Sequence, residues 1–213
     1  MVNFHQRVNY RLVNLPFLLC LMKKVIAGVD EVGRGSLIGP VYAAAVILND
    51  NINKKELKDS KKLNKTKREV LAKYIKKNST WAIGSASLKE VEKINILNAS
   101  LLAMKRAIIK LRKKPNIVLI DGNKSPKIKN YFIKTVIKGD QKIPEISAAS
   151  IIAKVSRDKL ITGISKKFKS YKWHLNAGYG TKEHLRAIKK FGVTKFHRKT
   201  FKPIHNILSL QKN

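Results

Sequence analysis

The apolar run at residues 25–29, Val-Ile-Ala-Gly-Val, passes directly into two adjacent acids, Asp30 and Glu31. This run is short, β-branched and followed by glycines, which predicts a buried strand that ends in a turn. Two carboxylates at the end of a buried strand are costly to hold unless a positive group neutralises them. A divalent cation would do so, because hard cations take carboxylate oxygens as ligands. The alternative is an ordinary ion pair with a neighbouring lysine or arginine.

The charge balance makes acids at such positions informative. The chain has 213 residues, with 46 Lys and Arg against 13 Asp and Glu, and a formal net charge of +33 at pH 7. An excess of this size favours a polyanionic partner, although part of it is background in a chain rich in Lys, Asn and Ile. The lysines are spread along the whole chain, which favours nucleic acid over a membrane surface as the partner.

The N-terminal segment contains the single cysteine, Cys20. One cysteine excludes an intramolecular disulfide and a cysteine metal cluster, and it predicts a reducing compartment, the cytoplasm. The apolar segment at residues 15–22 is too short to span a bilayer, and no small-residue cleavage site precedes Lys23. We expect residues 1–21 to be an N-terminal extension, either disordered or a mis-assigned start with Met22 as the initiator.

Periodicity and turn residues predict the order β-β-α-β-α-β-β-α, followed by further helices. The predicted strands cover residues 25–29, 41–48, 80–88, 116–122 and 131–139, and the predicted helices cover residues 65–77, 99–111, 146–168 and 181–191. Asn64 is a candidate helix cap and Gly84 a possible β-bulge. Short links favour an antiparallel meander of the first three strands, and a helix before the fourth strand favours its parallel addition. The pattern predicts an α/β fold with a mixed sheet.

Two further predicted strands also end in acid, at Asp121 and Asp140. If these strand ends lie at the same rim as Asp30 and Glu31, the carboxylates converge on one site. Four carboxylates can hold two divalent ions about 3.5–4 Å apart, which suits in-line phosphoryl displacement. All-oxygen ligands indicate Mg²⁺ or Mn²⁺ rather than zinc. Adjacent strand residues point to opposite faces, so we expect the strand to break at Asp30; otherwise Glu31 contributes partly through its backbone carbonyl.

Five sequence blocks carry a resemblance to a known family. They are Asp30-Glu31-Val32-Gly33-Arg34-Gly35, Asp59-Ser60-Lys61-Lys62-Leu63, Ile120-Asp121-Gly122-Asn123, Lys138-Gly139-Asp140 and Ile146-Ser147-Ala148-Ala149-Ser150-Ile151-Ile152-Ala153-Lys154-Val155-Ser156-Arg157-Asp158. In this order they resemble the signature of bacterial ribonuclease HII, across residues 23–203. Residues 1–21 fall outside the family pattern.

The resemblance implies a ribonuclease H-like fold, with a central mixed five-stranded sheet flanked by helices. The catalytic core would cover residues 22–170, and a small helical substrate-binding part would cover residues 171–213. The implied activity is that of a divalent-metal-dependent endonuclease that cuts the RNA strand of RNA–DNA hybrids. It would also incise duplex DNA at embedded ribonucleotides, as in ribonucleotide excision repair, leaving a 3′-hydroxyl and a 5′-phosphate. A monomer without a membrane partner is expected.

Carried over residue by residue, Asp30, Glu31, Asp121 and Asp140 match the family's metal-binding acids. Gly33-Arg34-Gly35 matches its loop that contacts the 2′-hydroxyl, and Tyr179 matches an aromatic that senses the junction between ribose and deoxyribose. The chemistry agrees, since the 2′-hydroxyl alone distinguishes RNA from DNA at one site and glycines let backbone amides approach it. Ser60, Lys61 and Lys62 would contact phosphate or form an ordinary charged loop.

Other interpretations stay open. A noncatalytic basic RNA- or ribosome-binding protein would explain the charge but not the four acids. A two-metal enzyme for other nucleic-acid structures would share the acids without needing residues 33–35 or Tyr179. Asp158, four residues after Lys154, is expected to form an ion pair. The basic segment at residues 195–199 is a candidate contact for the duplex backbone.

Overall fold

The computed structural model describes residues 24–54, 57 and 64–210. Two sets of predictions lie outside the described residues, namely the N-terminal extension at residues 1–21 and the candidate phosphate contacts Ser60, Lys61 and Lys62.

One mixed sheet forms the centre of the fold. Its strands are β1 (Ile26–Val32), β2 (Val41–Leu48), β3 (Ser79–Ala86), β4 (Ile117–Asp121) and β5 (Ile133–Val136). Their order in the five-stranded sheet is β3-β2-β1-β4-β5. The first three strands pair antiparallel, whereas β4 is parallel to β1 and β5 is parallel to β4. The predicted meander and the parallel addition are both confirmed.

Helices cover both faces of the sheet. They are α1 (Lys65–Lys77), α2 (Leu88–Ile109), α3 (Gly139–Lys142), α4 (Pro144–Ser165), α5 (Trp173–Asn176), α6 (Lys182–Phe191) and α7 (Lys202–Leu210), with a 3₁₀ turn at Lys169–Tyr171. The α1 helix begins where predicted, because the Asn64 side chain accepts a hydrogen bond from the Lys67 amide. The α2 helix begins before the predicted residue 99 and is kinked at Asn95, where φ is 65°.

The two faces of the sheet bury separate apolar clusters. On one face α2 packs against β3, β2 and β1, and its residues Met104 and Ile108 belong to the same apolar cluster as Val29 and Ile120. On the other face α1 and α4 cover the same sheet, and their buried residues include Ile75 and Ile152. These clusters set the position of each helix relative to the sheet.

Two glycines allow a helix to approach the sheet closely. A Cβ on Gly28 would lie 2.0 Å from the backbone carbonyl carbon of Glu145, at the start of α4. A Cβ on Gly84 would lie 2.1 Å from the Ala103 carbonyl oxygen in α2. The prediction of a bulge at Gly84 is wrong, because Gly84 pairs with Ala43 in regular register. The missing side chain makes room for a helix instead.

The C-terminal helices pack on the same molecule through a third cluster. Its buried residues join the loop after β1 and helix α4 to the aromatic segment that begins at the 3₁₀ turn, and they include Leu37, Ile38, Ile161, Tyr171, Trp173, Ile188 and Ile204. This packing brings the segment around Tyr179 to the loop that follows β1. Across the described ranges, no helix combines the length and the apolar character needed to cross a membrane.

Candidate active site

Asp30 lies in β1 and is only 7% exposed. Its carboxylate accepts a hydrogen bond from the Glu31 amide at 2.7 Å and another from the Ser150 side chain of α4. Burial raises the pKa of Asp30 to about 8, and the negative charges of Glu31 and Asp121 act in the same direction. A carboxylate in this position is stabilised by any cation that binds beside it.

Glu31 follows without a break in the strand. The predicted break at Asp30 is wrong, because β1 continues its antiparallel pairing with β2 as far as Val32. Its parallel pairing with β4 ends earlier, at Val29, so β1 projects past β4 at this edge. The Glu31 carboxylate accepts a hydrogen bond from Arg34 at 3.2 Å. Burial raises the pKa of Glu31, with Asp121 acting in the same direction and Arg34 against it.

Asp121 is the last residue of β4 and lies at the same edge of the sheet as Asp30. Parallel pairing sets Val29 opposite Ile120, so the next residue of each strand is an acid. The Asp121 carboxylate accepts a hydrogen bond from the Gly139 amide at 2.7 Å. This contact joins the end of β4 to the start of α3.

Asp140 reaches the site by a different route from the predicted one. The sequence predicts the last strand over residues 131–139, but β5 ends at Val136, and Asp140 lies in the short helix α3, where it is 8% exposed. Lys138, with φ at 54°, turns the chain between strand and helix. The prediction that a third strand ends in this acid is therefore wrong, although Asp140 directly follows the residue that binds Asp121.

The donor set of the site fits a hard divalent cation. Burial raises the pKa of Asp30 and of Glu31, the negative charge of Asp121 acts in the same direction, and a cation bound here would offset both effects. Among the described residues, no three His, Cys, Asp or Glu side chains stand in position to ligate one ion together. Strand pairing and the hydrogen bond between Gly139 and Asp121 nevertheless bring the acids to one edge of the sheet.

The loop at residues 33–35 faces Tyr179 across the site. Ser36 and Tyr179 form an isolated antiparallel bridge, and the Leu37 amide donates to the Gly178 carbonyl at 2.8 Å. A Cβ on Gly35 would lie 3.7 Å from the Tyr179 ring. The structure therefore brings together the predicted glycine loop and the predicted aromatic, which are far apart in sequence.

Of the predictions for the remaining basic residues, one is confirmed and one is wrong for a single side chain. The predicted ion pair between Lys154 and Asp158 forms, at 2.9 Å. In the segment 195–199, Arg198 is fully buried and donates to backbone carbonyls, so this side chain is not an exposed contact for a duplex. Arg157 and Arg198 also belong to the site, and the sequence does not predict this. The two arginines lie 41 positions apart, and the carbonyls that accept their hydrogen bonds come from distant parts of the chain. No local sequence pattern therefore identifies them.

A chain of hydrogen bonds through two buried histidines ends at Tyr179. The Thr194 amide donates to Nδ1 of His197 at 2.9 Å, so Nε2 of His197 carries the proton, and this nitrogen lies 3.2 Å from Nε2 of His184. The Trp173 indole donates to the same His184 nitrogen at 2.8 Å. Nδ1 of His184 donates to the Tyr179 carbonyl at 2.9 Å. Both imidazoles are neutral in this arrangement.

We predict that His197 makes the folded chain sensitive to acid. Burial, together with the neighbouring His184, lowers the pKa of His197 to about 4. In the unfolded chain the same group titrates near 6.5, so between pH 6.5 and 4 only the unfolded chain takes up the proton. The free energy of unfolding therefore decreases as the pH falls through this window, and at pH 5 it is about 2 kcal/mol lower than above pH 6.5.

Urea unfolding of the wild type and His197→Gln at pH 7.5 and pH 5.0 measures this effect. The difference in unfolding free energy between the two proteins should shrink by about 2 kcal/mol at the lower pH. Comparing the two proteins cancels the titration of other groups. The exposed His205 provides the control, as His205→Gln should show no such change. A difference independent of pH would contradict the assignment of a neutral buried His197.

Comparisons with known proteins show which family this chain is similar to. The sequence profile of the family described as Ribonuclease HII matches residues 27–204. Ribonuclease HII of Pelagibacter ubique is 75% identical over 185 residues, covering 87% of this chain and 100% of that protein. Ribonuclease HII of Roseobacter denitrificans is 45% identical over 195 residues, with 92% and 98% covered. The crystal structure of ribonuclease H2 from Pyrococcus horikoshii OT3 matches with a TM-score of 0.73 at 28% identity, covering 88% of this chain and 99% of that one.

Proposed function

The chain belongs to the ribonuclease HII family, and from this premise we propose that it cuts both RNA–DNA hybrids and duplex DNA containing single ribonucleotides. It is a type 2 ribonuclease H, an endoribonuclease that requires a divalent metal and acts on nucleic acid. The proposed products are a 3′-hydroxyl and a 5′-phosphate. The observation that carries the proposal is the shared edge at which Asp30 lies beside Asp121, next to the loop that faces Tyr179.

The proposed metal ligands are Asp30, Glu31, Asp121 and Asp140, with Mg²⁺ or Mn²⁺ as the ion. Support comes from their all-oxygen donor set and from the mutual repulsion at Asp30 and Glu31. These residues would hold the ions, and two bound ions would supply activation of the attacking water and stabilisation of the leaving 3′ oxygen.

Neighbouring groups would orient these carboxylates. Ser150 holds one side of Asp30, and the Gly139 amide holds Asp121. Arg34 pairs with Glu31 at 3.2 Å, so the Glu31 carboxylate is held next to the loop at residues 33–35. Such contacts restrict each ligand to few rotamers, which is how supporting residues tune a metal site.

Recognition of the ribose would fall to the loop and the aromatic that it faces. We assign contact with the 2′-hydroxyl to Gly33, Arg34 and Gly35, and contact with the sugar at the junction to Tyr179. Gly33 has φ at 93°, a conformation that favours glycine and turns the backbone sharply there. Ser60, Lys61 and Lys62 stay proposed phosphate contacts, and they lie outside the described residues.

The proposed organisation keeps a catalytic core at residues 22–170 and a helical substrate-binding part at residues 171–213, acting as a monomer. Support comes from the third apolar cluster, which joins α6 and α7 to the loop after β1. Substrate held between the loop and Tyr179 would therefore contact both parts. The proposed cytoplasmic location depends on the single cysteine of the sequence.

Three duplexes of one sequence test the proposed function. One contains a single ribonucleotide, one is an RNA–DNA hybrid, and one is entirely DNA; each is incubated with and without Mg²⁺. We expect metal-dependent incision of the first two and an intact third. Saturable binding without cleavage would favour the noncatalytic nucleic-acid-binding protein, and cleavage of the all-DNA duplex would favour a nuclease that does not sense the ribose.

A further inference from the structure

Two arginines lie fully buried beneath the loop that faces Tyr179. Arg157 comes from α4 and Arg198 from the segment before α7, and each is 0% exposed. Neither forms an ion pair within the described ranges, and their hydrogen bonds go to backbone carbonyls. Burying an arginine without an acidic partner costs free energy, so the presence of two such side chains here indicates a specific role.

Arg157 joins the two segments that carry the recognition residues. Its Nε donates to the Pro40 carbonyl at 3.1 Å and its Nη2 to the Ile38 carbonyl at 3.1 Å. Its Nη1 donates to the Ala177 carbonyl at 3.0 Å, two residues before Tyr179. One planar group therefore sets the distance between the loop after β1 and the Tyr179 segment. Its guanidinium carbon also lies 5.9 Å from the centre of the Tyr179 ring.

Arg198 holds the glycine loop itself. Its Nη1 donates to the Arg34 carbonyl at 2.9 Å, and its Nε donates to the Gly39 carbonyl at 3.0 Å. Gly33 rests directly on the other arginine, since a Cβ there would lie 2.2 Å from Nε of Arg157. The backbone of residues 33–35 is thus supported from beneath by both guanidinium groups.

We propose that Arg157 and Arg198 are positioning residues for ribonucleotide recognition, which fix the spacing between residues 33–35 and Tyr179 so that both contact one ribose. This inference rests on the proposed function, because it takes the loop and Tyr179 as the groups that read the sugar. The arginines themselves do not touch the substrate.

The geometry of the guanidinium, rather than its charge alone, carries this role. Burial lowers the pKa of both arginines, and for Arg198 burial together with the positive charge of Arg157 lowers it to about 9; guanidinium groups of this kind stay charged at neutral pH. Lysine would keep the charge but could not bond several fixed carbonyls from one plane. Replacement by lysine therefore separates the positioning role from simple attraction of a polyanion.

The test compares Arg157→Lys and Arg198→Lys with the wild type on two duplexes that differ by one 2′-hydroxyl. Dissociation constants are measured with Ca²⁺ in place of Mg²⁺, and a gel verifies that the duplexes stay intact. We expect each variant to lose at least about fivefold of the preference for the ribonucleotide duplex, while affinity for the all-DNA duplex changes less than about twofold. Arg106→Lys is the matched control, because Arg106 pairs with Glu90 on α2 and should keep the wild-type preference.

The outcomes separate this inference from the proposed function. A wild type without any preference would contradict the proposed function, since no 2′-hydroxyl would be sensed. A wild type with a preference that both lysine variants retain would overturn the positioning role alone. Failure of both variants to fold, judged by thermal unfolding, would also overturn it, because the pair would then serve folding and not recognition.

Discussion

Asp30→Asn should lower the rate of cleavage at a single ribonucleotide by about 1,000-fold or more, equivalent to about 4 kcal/mol of transition-state stabilisation. Asparagine keeps the shape of the side chain and can still accept the 2.7 Å hydrogen bond from the Glu31 amide. It removes the negative charge that a divalent ion needs at the centre of the carboxylate group. Single-turnover cleavage in Mg²⁺ measures the rate.

Binding should respond in the opposite direction to cleavage. Asparagine is neutral at every pH, so the phosphate backbone meets no more repulsion there than in the wild type, and the affinity of Asp30→Asn for an RNA–DNA hybrid should equal or exceed that of the wild type. Glu69→Gln provides the matched control, because it removes one negative charge from an exposed position on α1 and should leave cleavage unchanged. Wild-type turnover by Asp30→Asn in Mg²⁺ would show that this carboxylate is not a ligand.

Gly28→Ala should destabilise the fold by about 3 kcal/mol or more. The added methyl would lie 2.0 Å from the backbone carbonyl carbon of Glu145, where no side-chain rotamer can relieve the contact. The start of α4 would have to move away from β1. That movement would also displace Ser150, which binds Asp30, so activity should fall even where the variant folds. Urea or thermal unfolding gives the loss of stability.

Gly163→Ala is the control for this substitution. Gly163 lies in the same helix, and a Cβ there would meet no atom within 4 Å. Alanine should therefore stabilise α4 by about 0.5–1 kcal/mol through its higher helix propensity. Equal effects of the two substitutions would contradict the close approach of α4 to β1.

Local signals account for the elements that the sequence predicted well. Helix α1 begins after Asn64 because a side chain three residues from its donor closes the first turn. The acid that ends β4 was found because an apolar run and a glycine flank it. The start of α2 was missed although Ser87 and Glu90 form a capping box, since the kink at Asn95 interrupts the helical spacing of apolar residues.

Other features depend on contacts that no local pattern encodes. Asp140 lies in a helix because Lys138 adopts a left-handed backbone conformation. The sequence does not predict this conformation, since lysine rarely adopts it. Arg198 is a buried donor because its acceptor, the Arg34 carbonyl, lies 164 residues away along the chain. Charge alone suggested an exposed contact for this segment. Only the packing of the C-terminal helices on the loop after β1 assigns it to the interior.

We propose that carboxylates from β1, β4 and α3 hold divalent ions at one edge of the sheet. Crystals of the chain soaked in MnCl₂ test it most directly, through anomalous difference density for manganese. We predict peaks enclosed by the side chains of Asp30, Glu31, Asp121 and Asp140. Manganese bound elsewhere, or no peak at this edge from an enzyme that cleaves in Mn²⁺, would contradict the account.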